Sequence, residues 1–297
     1  MAAPAQRLSN TVQVRRLSYA LGAEVLDFDI GADHSDEVIA AIRQHWIENK
    51  FILFRKQSLK PERLIAFTRR FGDLAYVKGF DTALYPGHPE IFMISNLKVN
   101  GERSVSANAA REWHSDTTYL ERPHLGAILY CLERPALGGD TMFTNLEMAF
   151  STLSPTLQAV LSGLRADHGF RFYGAKSEEY RGKIDDKELK THRAVTHPVV
   201  RTHDESGRKS LYVNATFTER FTGMTDEESR PLLQYLFQHL SQPAFTYRHH
   251  WEPGDALFWD NRSTQHFAPK DYDVDNMDAP ENRRHLWRTT LLGSVPQ

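Results

Sequence analysis

Short β-rich segments that recur along most of the chain constrain its fold more than any other feature of the sequence. They are enriched in β-branched and aromatic residues, which favour strands, and turn residues separate them. Nine such segments are Phe51–Phe54, Ile91–Ser95, Gly126–Cys131, Thr141–Phe143, Ala194–Val200, Leu211–Val213, Phe245–His250, Ala256–Trp259 and Arg288–Leu292. This number of short strands predicts a β-sandwich or barrel.

Helical patterns lie mostly outside these strands. Apolar residues recur at helical spacing in 35–50, 61–71 and 225–240, and 146–162 is expected to hold two short helices divided by Pro155. The chain is therefore predicted to be mainly β with peripheral helices. An alternating α/β fold is the competing layout, but no G-x-G-x-x-G or G-x-x-x-x-G-K sequence supplies a phosphate-binding loop for it.

Composition limits the classes of partner and compartment. The 297 residues predict a single domain over 1–297, with insertions near 74–112 and 172–192 that would act as lids. With 36 basic and 38 acidic residues, the chain has no basic field for nucleic acid or for anionic membranes. Its one cysteine, Cys131, cannot form an intramolecular disulfide. The first ten residues lack the apolar core of a signal peptide, so a cytoplasmic protein is expected.

The tripeptide His-Ser-Asp occurs twice, at 34–36 and at 114–116. The first copy opens a predicted helix, where Ser35 would be the N-cap and Asp36 would interact with the helix dipole. Residues i and i+2 of a helix point in different directions, so His34 and Asp36 are not expected to share a ligand. We predict a structural role for this copy.

The second copy lies in the aromatic and Thr-rich segment Glu112–Tyr119, which is expected to be extended. On a strand, His114 and Asp116 would face the same side and could bind one metal ion. The third ligand candidate is His266, for which a surface histidine is the alternative interpretation. Two histidines and one carboxylate suit a non-haem Fe(II) oxygenase, although short ligand patterns also occur by chance.

Two arginines accompany the last predicted strand. If this segment is extended, Arg284 and Arg288 lie on the same face. Guanidinium groups form bidentate bonds with planar oxyanions, so the pair is suited to recognise carboxylates or sulfonates. A pair of surface arginines fits the spacing equally well.

Four motifs together resemble the signatures of the taurine dioxygenase / 2,4-dichlorophenoxyacetate dioxygenase (TauD/TfdA) family. They are Trp113-His114-Ser115-Asp116, Gly138-Gly139-Asp140-Thr141, Trp259-Asp260-Asn261-Arg262 followed by His266, and Arg284 with Arg288. The resemblance extends from Val14 to Gly293, and the order of the motifs makes it specific. It implies a double-stranded β-helix (jelly-roll) core, Fe(II) as cofactor, 2-oxoglutarate and O2 as co-substrates, and a homo-oligomer, either dimer or tetramer.

The resemblance also implies roles for individual residues. His114, Asp116 and His266 would be the iron ligands and form the catalytic centre, with Trp259 packed close to it. Thr141 and Arg284 would hold the distal carboxylate of 2-oxoglutarate, while Arg288 would face the acidic group of the substrate. The implied reaction couples decarboxylation of 2-oxoglutarate, which releases succinate and CO2, to hydroxylation of that substrate.

The sequence departs from the family pattern at two places. His266 and Arg284 are eighteen residues apart, which is longer than is usual in the family, and the extra length is the acidic stretch 271–281. This insert leaves Arg283 as a reserve candidate for 2-oxoglutarate. Ala110 stands near the position where the taurine enzyme presents a polar contact, which weakens a specific expectation of taurine.

Residues beside the motifs are candidates for the substrate pocket, although core or lid packing explains the aromatic ones equally well. They are Thr117, Tyr119 and Arg288, followed by Tyr76, Val77, Phe80 and Tyr173. The expected substrate is a small organic acid: an alkylsulfonate, a sulfate ester or an aryloxyalkanoate. A non-catalytic jelly-roll binding protein and a zinc hydrolase with the same His/Asp/His site are the alternatives.

Overall fold

Strands outnumber helices in the computed structural model, which describes residues 12–76, 83–99, 102–103, 112–169 and 194–297. The strands are β1 (Val14–Arg16), β2 (Ala23–Val25), β3 (Phe51–Phe54), β4 (Leu84–Tyr85), β5 (His88–Ser95), β6 (Lys98–Val99), β7 (Glu102–Arg103), β8 (Gly126–Glu133), β9 (Thr141–Asn145), β10 (Arg165–His168), β11 (Val195–Pro198), β12 (Val200–Thr202), β13 (Lys209–Leu211), β14 (Thr218–Phe221), β15 (Thr246–His249), β16 (Ala256–Asp260), β17 (Thr264–Phe267) and β18 (His285–Leu291). The helices are α1 (Asp36–Asn49), α2 (Pro61–Arg69), α3 (Leu146–Ser151), α4 (Pro155–Ser162) and α5 (Asp226–Leu240). The mainly β fold with peripheral helices is confirmed.

Two sheets carry the architecture. The large sheet has eight strands in the order β1-β2-β3-β16-β8-β18-β5-β4, and all its pairs are antiparallel except β2 with β3. A smaller antiparallel sheet has the order β15-β9-β17. The remaining strands form a three-stranded sheet, β11-β10-β14, and the pairs β12-β13 and β6-β7.

The central strands of the large sheet are buried on both faces. In β16, Ala256 and Phe258 belong to the core that contains α1 and α2, whereas Leu257 and Trp259 belong to a core on the opposite face. This alternation follows from the two-residue period of a strand, and β3 and β8 repeat it. Strands buried in this way read as continuous apolar runs, which is why the sequence reveals them.

The second core joins the large sheet to the small one. Phe143 of β9 lies with its ring centroid 5.2 Å from that of Phe51 in β3. Both residues are fully buried in one cluster with Trp259. Two facing sheets with a shared interior are the layout of the predicted jelly roll.

Helix α1 covers the outer face of the large sheet. It begins after Ser35, whose Oγ accepts a hydrogen bond from the Val38 N–H, and Ile42 and Trp46 form its buried stripe. The Trp46 ring stacks on Phe258 at 4.1 Å. All the predicted helices are present, and Pro155 divides α3 from α4 as expected. Within the described ranges, no helix combines the length and apolarity needed to cross a lipid bilayer.

One local prediction is wrong. The segment 112–119 is not a continuous strand, because only His114 forms a β-bridge and the chain enters a turn at Asp116. Thr117 lies in the left-handed region with a φ of 56°. Of the further pocket candidates, Tyr76 is 54% exposed. Val77, Phe80, Tyr173 and most of the predicted lid residues lie outside the described residues.

Candidate metal centre

The three side chains predicted to bind metal converge in the interior. His114, Asp116 and His266 are all buried, and one ligand atom from each lies within 4.8 Å of the others. The Oδ1 atom of Asp116 is 3.6 Å from Nε2 of His114 and 3.9 Å from Nε2 of His266. The surface position considered for His266 is therefore wrong.

Backbone pairing brings the two histidines together. His114 and His266 exchange both backbone hydrogen bonds, at 3.1 and 2.9 Å, and form an isolated antiparallel bridge. The bridge extends the small sheet by one rung beyond β17, in which His266 lies opposite Phe143. Ser115, which lies between His114 and Asp116, donates from Oγ to the Thr264 carbonyl at 2.8 Å. The pairing directs both imidazoles to the same interior side, with ring centroids 4.2 Å apart.

A buried amide holds the backbone of Asp116. The Asn261 Oδ1 accepts the Asp116 N–H at 2.7 Å, and Asn261 Nδ2 donates to the carbonyls of Asp116 and His124 at 2.9 Å each. Asn261 thus satisfies the main-chain groups that a neighbouring strand would otherwise pair. Thr117 completes the turn, since its hydroxyl donates to the Asp116 carbonyl and accepts from the His124 N–H. These contacts explain why the chain leaves the extended conformation here.

The protonation states suit a metal site. Nδ1 of His114 lies 2.8 Å from the Glu112 carbonyl, so the proton resides on Nδ1 and the lone pair of Nε2 points inward. Burial, together with His114, lowers the pKa of His266 to about 3. Burial alone raises the pKa of the Asp116 carboxyl, but Arg288 and the two histidines bring it well below its ordinary value. Two imidazoles and one carboxylate are a donor set that fits ferrous iron.

A partly buried arginine, Arg288, lies beside these residues. The Nη1 atom of Arg288 is 3.4 Å from Oδ2 of Asp116, and its guanidinium lies 5.0 Å from the centroid of the Phe92 ring. Among the described residues, the buried Nε of Arg288 has no hydrogen-bond acceptor. A partly satisfied guanidinium in the interior is a donor in position for an anionic ligand.

The second predicted anion site lies further along the same strand face. Leu286 of β18 belongs to the second core, which lies between the two sheets. Arg284 and Arg288 are two residues before and two residues after Leu286, so their side chains extend from the same face. Arg284 donates from Nε to the Gly139 carbonyl at 3.0 Å and from Nη2 to Oγ1 of Thr141 at 3.5 Å. The structure thus brings the two residues predicted to hold 2-oxoglutarate into contact.

The reserve candidate Arg283 lies on the other side of the chain. Its side chain is 49% exposed, and its Nη1 atom is 3.8 Å from a carboxylate oxygen of Glu133. The one-residue offset from Arg284 reverses the direction of a side chain in extended backbone, so the insert does not bring Arg283 to Thr141.

Aromatic rings form much of the wall around the centre. The ring centroid of Trp259 is 5.2 Å from that of His266, and Phe217 lies 6.1 Å from His114 and 5.0 Å from Tyr119. Burial, with a contribution from Asp116, raises the pKa of Tyr119 to about 12, so the phenol keeps its proton. Tyr119 therefore lies near the centre as predicted, whereas the Thr117 hydroxyl bonds to backbone groups.

Sequence reasoning assigned no role to Asn261 or Trp251. Trp251 is almost fully buried and donates from Nε1 to Oγ1 of Thr141 at 3.0 Å. A signal for Asn261 was present in the sequence, because the polar run Asp260-Asn261-Arg262-Ser263 directly follows an apolar run; the structure buries all four residues. Trp251 had no comparable signal, since a buried tryptophan is explained by packing alone.

Comparison with known proteins gives a consistent result. A family model described as "Taurine catabolism dioxygenase TauD, TfdA family" matches residues 13–290. The alpha-ketoglutarate-dependent 2,4-dichlorophenoxyacetate dioxygenase of Cupriavidus pinatubonensis is 33% identical over 285 residues, which cover 92% of this chain and 94% of the relative. The alpha-ketoglutarate-dependent sulfate ester dioxygenase of Pseudomonas putida is 29% identical, with 96% of this chain and 91% of the relative covered.

A solved structure agrees with these relatives. The crystal structure of a taurine dioxygenase from Burkholderia xenovorans is 34% identical and superimposes with a TM-score of 0.78. The match covers 96% of this chain and 92% of that chain. The resemblance inferred from the four motifs, and the jelly-roll fold that it implied, are thereby confirmed.

Proposed function

Because the chain belongs to the TauD, TfdA family and is an Fe(II)- and 2-oxoglutarate-dependent dioxygenase, we propose that its substrate is a small organic acid with an apolar body. The observation that carries this proposal is the Arg288 guanidinium, which is only 15% exposed, lies 3.4 Å from Asp116 and has a buried Nε without an acceptor among the described residues. A positive group placed there would fix the acid close to the metal centre. The aromatic rings of Phe92, Phe217 and Tyr119 would contact the remainder of the substrate.

We assign the metal to His114, Asp116 and His266. Their burial, their convergence within 4.8 Å and the lowered pKa values of Asp116 and His266 support this assignment. When bound, ferrous iron supplies the activation of O2 that couples loss of CO2 from 2-oxoglutarate to hydroxylation of the substrate. The contribution of the chain is to hold two imidazoles and one carboxylate together in a buried site that would bind the metal.

We assign the distal carboxylate of 2-oxoglutarate to Thr141 and Arg284. The Oγ1 atom of Thr141 accepts hydrogen bonds from Trp251 and Arg284, so its own proton is left to be donated to a carboxylate oxygen. Arg284 adds a planar guanidinium that carboxylates bind through two parallel hydrogen bonds. Arg284 precedes Arg288 by four residues of extended chain, about 13 Å, so the two acids would be bound at separate positions.

The relatives narrow the class of acid. The two relatives described above act, by their names, on an aryloxyacetate and on a sulfate ester, and an alkylsulfatase from Acinetobacter baylyi is 30% identical. All these substrates combine an anionic group with an apolar body. We therefore propose aryloxyalkanoates, alkyl sulfate esters and alkylsulfonates as the compounds to test first.

A screen of succinate release tests this function. Purified protein with Fe(II), 2-oxoglutarate and O2 should release succinate with one of these acids and not with its neutral amide or alcohol analogue. Arg288→Ala should raise the KM for the acid by about 30-fold or more, because it removes a largely shielded charge partner, while 2-oxoglutarate decay continues uncoupled. The exposed Arg283→Ala is the matched control. Equal rates with acids and neutral analogues would contradict the proposal.

An anaerobic metal titration separates this assignment from a zinc hydrolase and from a binding protein. Fe(II) with 2-oxoglutarate should produce a weak visible charge-transfer band, which zinc cannot give. The band should disappear in His266→Ala and persist in His34→Ala. A protein that hydrolyses an ester with zinc and shows no such band would contradict the assignment.

We further propose a single catalytic domain over 1–297, with lids near 74–112 and 172–192, that acts in the cytoplasm as a dimer or tetramer. No nucleic acid or membrane partner is proposed, since the formal net charge is only −2. Light scattering coupled to size-exclusion chromatography measures the oligomeric state. A monomer at micromolar concentration would contradict that part of the proposal.

A further inference from the structure

The acidic insert 271–281 is anchored to the loop that carries Gly138 and Gly139, next to the proposed 2-oxoglutarate site. We propose that its first residue, Asp271, is a positioning residue for Arg284. This inference rests on the proposed role of Arg284 as the arginine that binds 2-oxoglutarate. It gives the insert a role in co-substrate binding rather than that of a surface loop alone.

The Asp271 carboxylate joins two parts of the fold. Its Oδ1 accepts the Gly139 N–H at 2.8 Å, and its Oδ2 lies 2.6 Å from Nη2 of Arg248 in β15. The Nε of Arg248 in turn donates to Asp140 at 2.6 Å. The Asp271 side chain is only 15% exposed, so these charge-assisted bonds are partly shielded from solvent.

Gly138 allows the insert to approach this closely. Gly138 and Gly139 have φ values of 74° and 73°, in the left-handed region that glycine adopts without strain. A Cβ added to Gly138 would lie 2.1 Å from the carbonyl oxygen of Asp271. The loop and the insert are therefore in such close contact at Gly138 that a larger residue would not fit there.

Gly139 transmits this anchoring to the guanidinium. Its N–H is held by Asp271, and its carbonyl accepts the hydrogen bond from Nε of Arg284 at 3.0 Å. With Nε fixed, the end of the guanidinium is directed toward Oγ1 of Thr141, 3.5 Å away. A displaced Gly139 carbonyl would release the Nε hydrogen bond and let the guanidinium rotate away from Thr141.

The backbone of Arg284 is held by Asn96 and not by Asp271. Asn96 accepts the Arg284 N–H on Oδ1 at 2.8 Å and donates its own N–H to the Arg284 carbonyl at 3.0 Å. Loss of Asp271 should therefore leave strand β18 in place and disturb only the direction of the guanidinium. This separation predicts an effect on 2-oxoglutarate that spares the metal and the other substrate.

The experiment compares Asp271→Ala, Asp271→Asn and the control Asp275→Ala, an exposed acid in the same insert. Binding of the 2-oxoglutarate analogue N-oxalylglycine to Mn(II)-loaded protein is measured by calorimetry, without turnover. Asp271→Ala should weaken binding about tenfold, and Asp271→Asn about threefold because its amide oxygen still accepts from Gly139. Asp275→Ala should stay within about twofold of the parent chain.

Kinetics and metal affinity distinguish positioning from a general structural effect. Asp271→Ala should raise the KM for 2-oxoglutarate by the same factor, while the KM for the acid substrate and the Kd for Mn(II) do not change. Equal analogue binding by Asp271→Ala and Asp275→Ala would overturn the inference, as would a parallel loss of Mn(II) affinity. If Asp271→Ala does not fold, analogue binding is compared between Asp271→Asn and Asp275→Asn instead, and equal binding by these two variants would overturn the inference. If the parent chain neither binds the analogue nor releases succinate, the proposed function itself fails.

Discussion

The two copies of His-Ser-Asp have the same side chains but different structural roles. At 34–36, Nε2 of His34 bonds to the Asp29 carbonyl at 2.7 Å, and the ring stacks on Phe28 at 4.2 Å. Asp36 lies at the start of α1, where its side chain is 97% exposed and pairs with Arg70. At 114–116, the corresponding imidazole and carboxylate are buried and lie 3.6 Å apart.

The serines show what separates the two copies. Ser35 accepts a hydrogen bond from the N–H three residues later and starts a helix, so its role is complete within one turn. Ser115 donates to the carbonyl of Thr264, which is 149 residues away in sequence. Local sequence is identical in the two places, and long-range partners decide which copy becomes a ligand pair.

Removal of the aspartate carboxylates should give the largest difference in activity between the two copies. Asp116→Ala should reduce succinate release by about a thousandfold or more, because two imidazoles alone hold the metal poorly. Asp36→Ala should leave succinate release unchanged. Both are measured with saturating 2-oxoglutarate and Fe(II). Equal losses in the two variants would contradict the assignment of the metal to the second copy.

The residues that brace each copy give the next largest effect. Asn261→Ala removes the three hydrogen bonds that hold Asp116 and His124, so we expect metal affinity to fall by about 10- to 100-fold. Arg70 braces the first copy through the His34 carbonyl and Asp36, and Arg70→Ala should not change metal affinity. Titration with Mn(II), followed by electron paramagnetic resonance, measures both. Unchanged affinity in Asn261→Ala would show that the turn at Asp116 holds without the amide.

Substitution of the two serines should lower stability by similar amounts but affect metal binding differently. Ser35→Ala and Ser115→Ala should each lower the free energy of unfolding by about 1 kcal/mol, the first through a lost N-cap and the second through a buried carbonyl left unpaired. Only Ser115→Ala should also weaken Mn(II) binding, by a few-fold. Urea denaturation of the metal-free proteins gives the stabilities. A change in Mn(II) binding by Ser35→Ala would contradict this separation.

The smallest effect is expected at the exposed ion pair. Asp36→Asn removes the charge that pairs with Arg70, but its side chain is almost fully exposed, and such pairs contribute little. We expect no measurable change in the urea midpoint, in metal affinity or in turnover. A clear shift of the midpoint that disappears in high salt would show that this surface pair matters more than its exposure indicates.

The sequence predicts the parts of the fold that local pattern determines. Strands β3, β8 and β16 are buried on both faces and read as apolar runs, and α1 carries an N-cap and an apolar stripe. Strand β17 was not predicted, because Thr264 and Gln265 are polar although they are buried. Burial of such polar residues depends on partners elsewhere, for example the Val213 carbonyl that accepts from Gln265.

The candidate site was predictable in its residues but not in its geometry. Motif order indicated the three metal-binding side chains, and strand parity indicated that Arg284 and Arg288 share a face. The turn at Asp116 could not be predicted, since the amide that holds it comes from Asn261, 145 residues further along the chain. The contact between the insert and Gly139 is of the same kind, because it depends on where a loop folds back rather than on its own sequence.

The single rung between His114 and His266 has a consequence for how such a protein can change. A one-residue slip on either side of the rung would turn an imidazole to the opposite face, so the local register tolerates no insertion. The loops that join the strands between the two histidines are less restricted, because the entropic cost of a longer loop grows only slowly with its length. New contacts for a different acid can therefore be introduced in those loops while the three proposed ligands keep their positions.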